Sequence, residues 1–284
     1  MDLAAPSPSS RRFGRYTVTT LLDGVMALPV ALLSEVEGRD ALLRAAGLDP
    51  AGTVPTAVNA FALQDGEALS LIDAGLGPIR GPEMGQAVPA MRAAGLDPAQ
   101  VSAVVMTHLH TDHAAGLLDA EGRAAFPAAR LLVPAEEARF WRELARTGEL
   151  PRAPERMIRV ACDVMEIYAD RLSLFEAGEE PLPGLRAEAL PGHTPGHTGF
   201  RIGAGPDGLL IWGDITHCPV LQVPLPRTSI GFDVDPELAA ATRMRCLAEV
   251  AAEGITVAGC HLGHGGFARV EADGAGSWRI LPLS

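Results

Sequence analysis

The stretch Val101-Ser102-Ala103-Val104-Val105-Met106-Thr107-His108-Leu109-His110-Thr111-Asp112-His113 decides how the rest of the chain is read. A largely apolar run of strand length, rich in β-branched residues, leads straight into four metal-capable side chains. In an extended chain alternate residues share a side, so His108 and His110 can aim at one point. Asp112 and His113 follow, where small residues and Gly116 predict a turn into a short helix. Imidazole and carboxylate are ligands that zinc, iron and manganese accept. The stretch reads as half of a metal site at the end of a buried strand.

Composition narrows the setting. A chain of 284 residues suffices for one large domain or two small ones. Its 48% hydrophobic and 20% charged content describes an ordered globular protein. A net charge of −12 without any basic run argues against nucleic acid and against a membrane surface, leaving a small-molecule substrate. All 23 basic residues are arginine, which removes Schiff-base chemistry and the P-loop, both of which need lysine. Cys162, Cys218, Cys246 and Cys260 form no Cys-x-x-Cys pair, so buried or free thiols in a reducing compartment are expected. No run approaches the roughly 20 apolar residues of a membrane span, and no signal-peptide core precedes the domain. A cytoplasmic location is the expectation.

Along the chain, residues 1–14 read as a flexible arm and 15–284 as one domain. Ala57–Leu63 and Ala68–Ile72 form an expected β-hairpin around Asp65-Gly66. The second of these strands ends in Asp73-Ala74-Gly75. A helix over 83–94 precedes the opening strand, and 135–146 forms an amphipathic helix after it. Residues 147–180 are the least legible; a lid over a pocket and a structural excursion are both open. Arg186–Leu190 leads into Pro191-Gly192-His193-Thr194-Pro195-Gly196-His197-Thr198, and Leu209–Trp212 runs into Gly213-Asp214. Asp235-Pro236 starts a helix that stops at Gly254, and the strand after it delivers Gly259-Cys260-His261. Strands arrive in groups covered by helices, which predicts a single domain of two sheets.

The 8 histidines are the informative residues. They are His108, His110, His113, His193, His197, His217, His261 and His264, most of them on Gly-rich turns after apolar strands. With Asp112 and Asp214 they are too many for one catalytic zinc, which takes three protein ligands. Two metals about 3.5–4 Å apart, with a water held between them as nucleophile, would absorb them. Counting alone leaves open whether His193 or His197 is the ligand.

The set His108-Leu-His110-Thr-Asp112-His113, a Pro-Gly-His-Thr histidine, Gly213-Asp214, a late His261 and Asp73-Ala-Gly, in that order, resembles the metallo-β-lactamase superfold. The resemblance covers roughly residues 15 to 271. It implies an α/β fold, a four-layer αβ/βα sandwich with the site at one edge of its sheets. It implies His108, His110 and His197 around one metal, Asp112, His113 and His261 around the other, and Asp214 bridging. His193 is left outside the ligand set, and Asp112 shuttles a proton to the leaving group. Trp212-Gly-Asp-Ile-Thr-His-Cys-Pro-Val, with Gly231-Phe-Asp-Val-Asp-Pro-Glu, is most similar to the methyl parathion hydrolase and lactonase branch. Two departures stand out. His217 occupies a position where lactonases carry tyrosine, and Leu262-Gly263-His264 replaces a Pro-Phe-Pro-Gly type of loop.

The implied activity is dinuclear hydrolysis of a lactone or carboxylic ester, with an organophosphate triester second. Metal-bound hydroxide would be the nucleophile, and Asp112, helped by His217, the proton donor. The cofactors would be two divalent transition-metal ions, zinc first, with manganese, iron or cobalt accepted by the same donors. A homodimer is the assembly expected for that branch. The alternative is a mononuclear iron persulfide dioxygenase on the same superfold, which would leave Asp112, His113 and His261 without a task.

Overall fold

In the computed structural model, residues 8–80, 84–148, 155–263, 265–274 and 276–283 are described. Seven strands form the first sheet, in chain order: β1 (Ser10–Phe13), β2 (Tyr16–Pro29), β3 (Thr53–Asp65), β4 (Ala68–Ile72), β5 (Val101–Val105), β6 (Arg130–Pro134) and β7 (Leu172–Phe175). The second sheet holds β8 (Arg186–Ala189), β9 (Thr198–Ile202), β10 (Leu209–Ile211), β11 (Thr256–Ala258), β12 (Phe267–Ala272) and β13 (Trp278–Pro282). The helices are α1 (Arg39–Ala45), α2 (Ala87–Ala93), α3 (Thr111–Ala114), α4 (Ala135–Thr147), α5 (Glu155–Ile167), α6 (Pro219–Gln222) and α7 (Pro236–Glu253).

Strand β5 shows why the layers stack as they do. Ala103 and Val105 point between the sheets, into a core with Phe61, Ile72, Phe200 and Ile211. Val101 and Val104 point the other way, onto Met91, Ala138 and Val164 from the helices. A strand buried on both faces needs a continuous apolar run, which is what the sequence has. Strand β10 repeats the logic: Leu209 and Ile211 face the first sheet, while Leu210 packs with Cys246, Leu247 and Val250 of α7. The order helix, sheet, sheet, helix is thus the four-layer α/β sandwich expected.

Parallel pairing decides where the chemistry gathers. β4, β5 and β6 run parallel, as do β10 and β11. Parallel neighbours put their carboxyl-end loops at the same edge, so Asp73, His108, Asp214 and His261 emerge together. Two backbone bonds close the sheets over that edge: Thr198 N–H donates to Thr107 C=O at 3.0 Å, and Asn59 N–H to Cys260 C=O at 2.9 Å.

Several details differ from the sequence reading. Ser10–Phe13, expected in the flexible arm, pair with β2 as an edge strand, because Phe13 finds a place in the inter-sheet core. Residues 1–7 of that arm lie outside the described residues. Around 147–180, α5 buries Val160, Ala161, Val164 and Met165 against the same core as α4, and β7 completes the sheet. The described part of that stretch is therefore a packed layer; residues 149–154 lie outside the description. Among the described residues no helix is long and apolar enough to cross a membrane.

The contact between the Asp73 loop and the turn after α3 (Ala115–Leu117) tolerates no side chain at Gly116. Its N–H donates to Gly75 C=O at 2.8 Å, and a Cβ there would sit 1.9 Å from the Ala74 carbonyl oxygen. Overpacking against backbone costs about 1–3 kcal/mol or more. Gly116→Ala is expected to lower the unfolding free energy by about 1–3 kcal/mol, read as a lower urea midpoint at unchanged slope, and an unchanged midpoint would contradict this packing.

Candidate metal centre

The loop after β5 is held by one buried carboxylate. Asp73 has φ of 57°, a left-handed conformation that costs a non-glycine residue about 1–2 kcal/mol. What it gains is a set of charge-assisted bonds. Its Oδ1 accepts Thr107 N–H at 2.8 Å, and its Oδ2 accepts the Thr107 hydroxyl at 2.8 Å and His113 Nδ1 at 2.7 Å. Thr107 Oγ1 in turn meets His108 Nδ1 at 3.0 Å. These contacts occupy the Nδ1 atoms of His108 and His113 and turn their Nε2 atoms inward.

Asp214, delivered by β10, stands at the point they face. His113 Nε2 lies 3.2 Å from its Oδ1, and His261 Nε2 lies 3.3 Å from its Oδ2. His217, His193 and His108 place their Nε2 atoms at 3.1, 3.4 and 3.7 Å from Oδ2. Asp112 stands at the rim, its side chain 21% exposed, with Oδ2 at 3.6 Å from His261 Nε2 and 4.0 Å from His113 Nε2. His110 enters through Nδ1, which is 2.9 Å from His193 Nε2.

The PGHT repeat resolves against the expectation. His197 was expected beside His108 and His110; the structure puts His193 there, the three offering ligand atoms within 4.8 Å of one another. His197 has both ring nitrogens engaged: Nδ1 donates to Leu190 C=O at 2.7 Å, and Nε2 accepts Asp214 N–H at 2.9 Å. Gly213, at φ of 56°, makes that bond possible, since a Cβ there would be 2.4 Å from His197 Nε2. His197 therefore shapes the Asp214 turn from behind. His264, for which no role was assigned, lies outside the described residues.

Whether this arrangement fits metal ions can be tested on its buried polar atoms. His108 Nε2, His113 Nε2, His261 Nε2 and Asp214 Oδ1 are buried with no hydrogen-bond partner among the described residues. Such atoms are rare in folded proteins, and each costs about 1–3 kcal/mol if left unpaired. The opposite nitrogens of these three histidines are engaged: His108 Nδ1 with Thr107 Oγ1 at 3.0 Å, His113 Nδ1 with Asp73 at 2.7 Å, and His261 Nδ1 with Ala57 C=O at 2.7 Å. That tautomer leaves the inward lone pair free, as a metal ligand requires. The donor set fits divalent transition metals.

Electrostatics agree. Burial, then the charge of neighbouring histidines, holds His108 and His110 well below the ordinary imidazole value. Burial would also lower His193, but its hydrogen bonds to Asp214 and Asp233 outweigh this and raise it to about 9. Burial opposes ionisation of Asp214 as well, yet His113, His261 and His217 keep it well below the usual carboxylate range. Asp214 thus stays ionised among imidazoles, three of which (His113, His193 and His261) are held in their protonated form, and cations would replace those protons.

Sequence reading missed the residues that hold this arrangement from outside. Asp233 orients His193. Glu137, fully buried, accepts Leu109 N–H at 3.0 Å, Trp141 Nε1–H at 2.6 Å and the Thr194 hydroxyl at 2.6 Å, joining the loops of His108–His110 and His193. Arg243 donates to the carbonyls of Ile215, Pro226 and Thr228 at 2.6–2.9 Å, bracing the segments after Asp214 and before Asp233. Glu137 and Arg243 lie in no local motif, and Asp233 sits in the Gly231–Glu237 stretch with no role assigned to it; the contacts of Glu137 with Leu109 and Thr194 and of Asp233 with His193 span 28 to 57 residues.

The histidine exchange has a direct test. His193→Ala is expected to weaken metal retention against a chelator by at least about 10-fold. His197→Ala, which removes no inward-facing donor, is expected to weaken it less; the reverse order would contradict the geometry.

The sequence profile of the Metallo-beta-lactamase superfamily matches residues 53–251. Among solved structures, the hydrolase AbOPH in the beta lactamase superfamily is 28% identical, with a TM-score of 0.90 and 98% of each chain covered. AidC, a dizinc quorum-quenching lactonase solved with its homoserine product, is 21% identical, with a TM-score of 0.86 and the same coverage. A probable metal-dependent hydrolase from Staphylococcus aureus is 23% identical, with a TM-score of 0.76, covering 96% of this chain and 99% of its own. The latter two, at such identities, speak to the fold. No curated protein matches the chain. Match and architecture together cover most of the sequence, and the chain belongs to the metallo-beta-lactamase superfamily.

Proposed function

We propose that the protein is a dinuclear metal-dependent hydrolase of a small, neutral ester-like substrate, a lactone or carboxylic ester first and an organophosphate triester second. The observation that carries this reading is the convergence of unpaired inward nitrogens on both sides of the Asp214 carboxylate. His108, His110 and His193 would hold one ion, His113, His261 and Asp112 the other, with Asp214 between them. When bound, such a pair supplies a water of lowered pKa and polarises the oxygen of the scissile bond. The kinship with a hydrolase and a dizinc lactonase supports the class, as does the resemblance to the lactonase and methyl parathion hydrolase branch.

The chain's own groups divide the remaining work. Asp112 alone of the carboxylates facing the centre reaches solvent, so it can carry a proton between the reacting oxygen and the leaving group. His217 stacks on His261 at 4.9 Å between ring centroids, and burial pushes it down to about 4, so it stays neutral. Its Nδ1 is buried without a partner, while its Nε2 meets Asp214. That orientation suits holding Asp214 in place better than donating a proton. His217 is therefore the secondary candidate and Asp112 the primary one. Thr107, Glu137 and Asp233 keep the histidine loops in register.

A hydrolysis panel of acyl-homoserine lactones, simple lactones, aryl esters, an organophosphate and a β-lactam tests the substrate class. Turnover of a lactone or ester above the others is expected; thiol-dependent oxygen uptake with no hydrolysis would favour the iron dioxygenase instead. Asp214→Asn should lower both metal occupancy and turnover, and an unchanged rate would sink its bridging place. Asp112→Asn should reduce kcat by about 10²–10⁴-fold, and a kcat within twofold of wild type would remove it as proton carrier.

A further inference from the structure

A buried thiol lies beside the centre. Cys260 precedes His261 on the loop after β11 and is 1% exposed. Ligand atoms of His113, Asp214, Cys260 and His261 all lie within 4.8 Å of one another. Three of these residues, His113, His261 and Asp214, carry the buried unpaired atoms noted above, so the thiol joins a cluster that already lacks partners. Val58, Leu76 and Met84 wall its other side with apolar surface.

The loop that carries the thiol is held firmly. Asn59 gives both its N–H, at 2.9 Å, and its Nδ2, at 3.0 Å, to the Cys260 carbonyl. The same Nδ2 lies within 3.1 Å of the Leu262 and Gly263 carbonyls. Behind it, Gly259 packs so closely on Trp212 that a Cβ would fall 2.2 Å from Nε1. The other cysteines have different surroundings. Cys218 and Cys246 sit in separate apolar clusters, where burial pushes them up to about 11 and about 12, and Cys162 is half-buried.

Tetrahedral sites with bonds of about 2.0–2.1 Å to nitrogen and about 2.3 Å to sulfur bring their donors to roughly 3.5 Å apart. Four donors already within 4.8 Å of one another need only small adjustments to reach that spacing. We propose that Cys260 Sγ is a ligand of the ion held by His113 and His261, making that half of the centre a His-His-Cys site with Asp214 shared. The proposal rests on the dinuclear reading above and sharpens it. On binding, the thiol's proton leaves to solvent and one sulfur–metal bond forms; nothing is oxidised or reduced. A thiolate softens this half of the centre and biases it toward zinc or cobalt over manganese.

The test is cobalt reconstitution of the full chain after removal of bound metal. Two cobalt ions per chain should give visible d–d bands together with a near-ultraviolet thiolate-to-cobalt charge-transfer band. That band should vanish in Cys260→Ser while the d–d bands persist. Cobalt bound by wild type without the charge-transfer band, or a band surviving in Cys260→Ser, overturns the cysteine assignment and leaves the metal centre standing. Failure to bind cobalt at all overturns both. X-ray absorption of the zinc-loaded wild type needs no variant: a sulfur scatterer at about 2.3 Å, one per two zinc ions, is expected, and a shell of nitrogen and oxygen alone contradicts the proposal.

Discussion

The structure depends on a single buried carboxylate, Asp214, surrounded by imidazoles. Five histidine Nε2 atoms lie 3.1–3.7 Å from its oxygens, in a place with almost no exposure. A cluster of this kind is stable only if its charges balance, because burying an uncompensated ion costs several kcal/mol. Protons on the histidines can supply that balance, and divalent cations can supply it with better geometry. Every element that reaches the site edge is arranged to serve this point: the parallel strands that end there, the strained Asp73, and the glycines that let loops approach.

Hydrogen bonds from surrounding groups turn this cluster into a defined site. Asp73, Asp233 and the Ala57 carbonyl each take the outward nitrogen of one histidine, which fixes both tautomer and ring direction. Glu137 ties the loops of the two sheets together across 57 residues of sequence, and Arg243 braces the turns after Asp214. These groups touch no reacting atom. Their effect is to keep the inward lone pairs aimed within the small tolerance that a catalytic site requires.

The sandwich was legible in the sequence because its signals are local, and so were the histidine turns that the structure brings together. The β5 run is apolar at both parities, which only a strand buried on two faces needs, and His108 to His113 follow it without interruption. The choice between His193 and His197 was not legible. Two nearly identical turns lie four residues apart, and what separates them is contact with distant groups: Asp233 for His193, Leu190 C=O and Asp214 N–H for His197. The short strands Ser10–Phe13 and Leu172–Phe175 were equally hidden, since four residues carry little periodicity and their place is set by the neighbour they pair with. Cys260 read as an ordinary buried thiol for the same reason: its neighbours His113 and Asp214 are brought to it only by the closing of the two sheets.

The central claim is that the donors around Asp214 exist to hold a pair of divalent ions. Elemental analysis of the protein, purified without chelators and quantified against chain concentration, addresses it most directly. Close to two divalent transition-metal ions per chain is the predicted result. A single iron per chain, or no bound metal under conditions where the chain is folded, would contradict it.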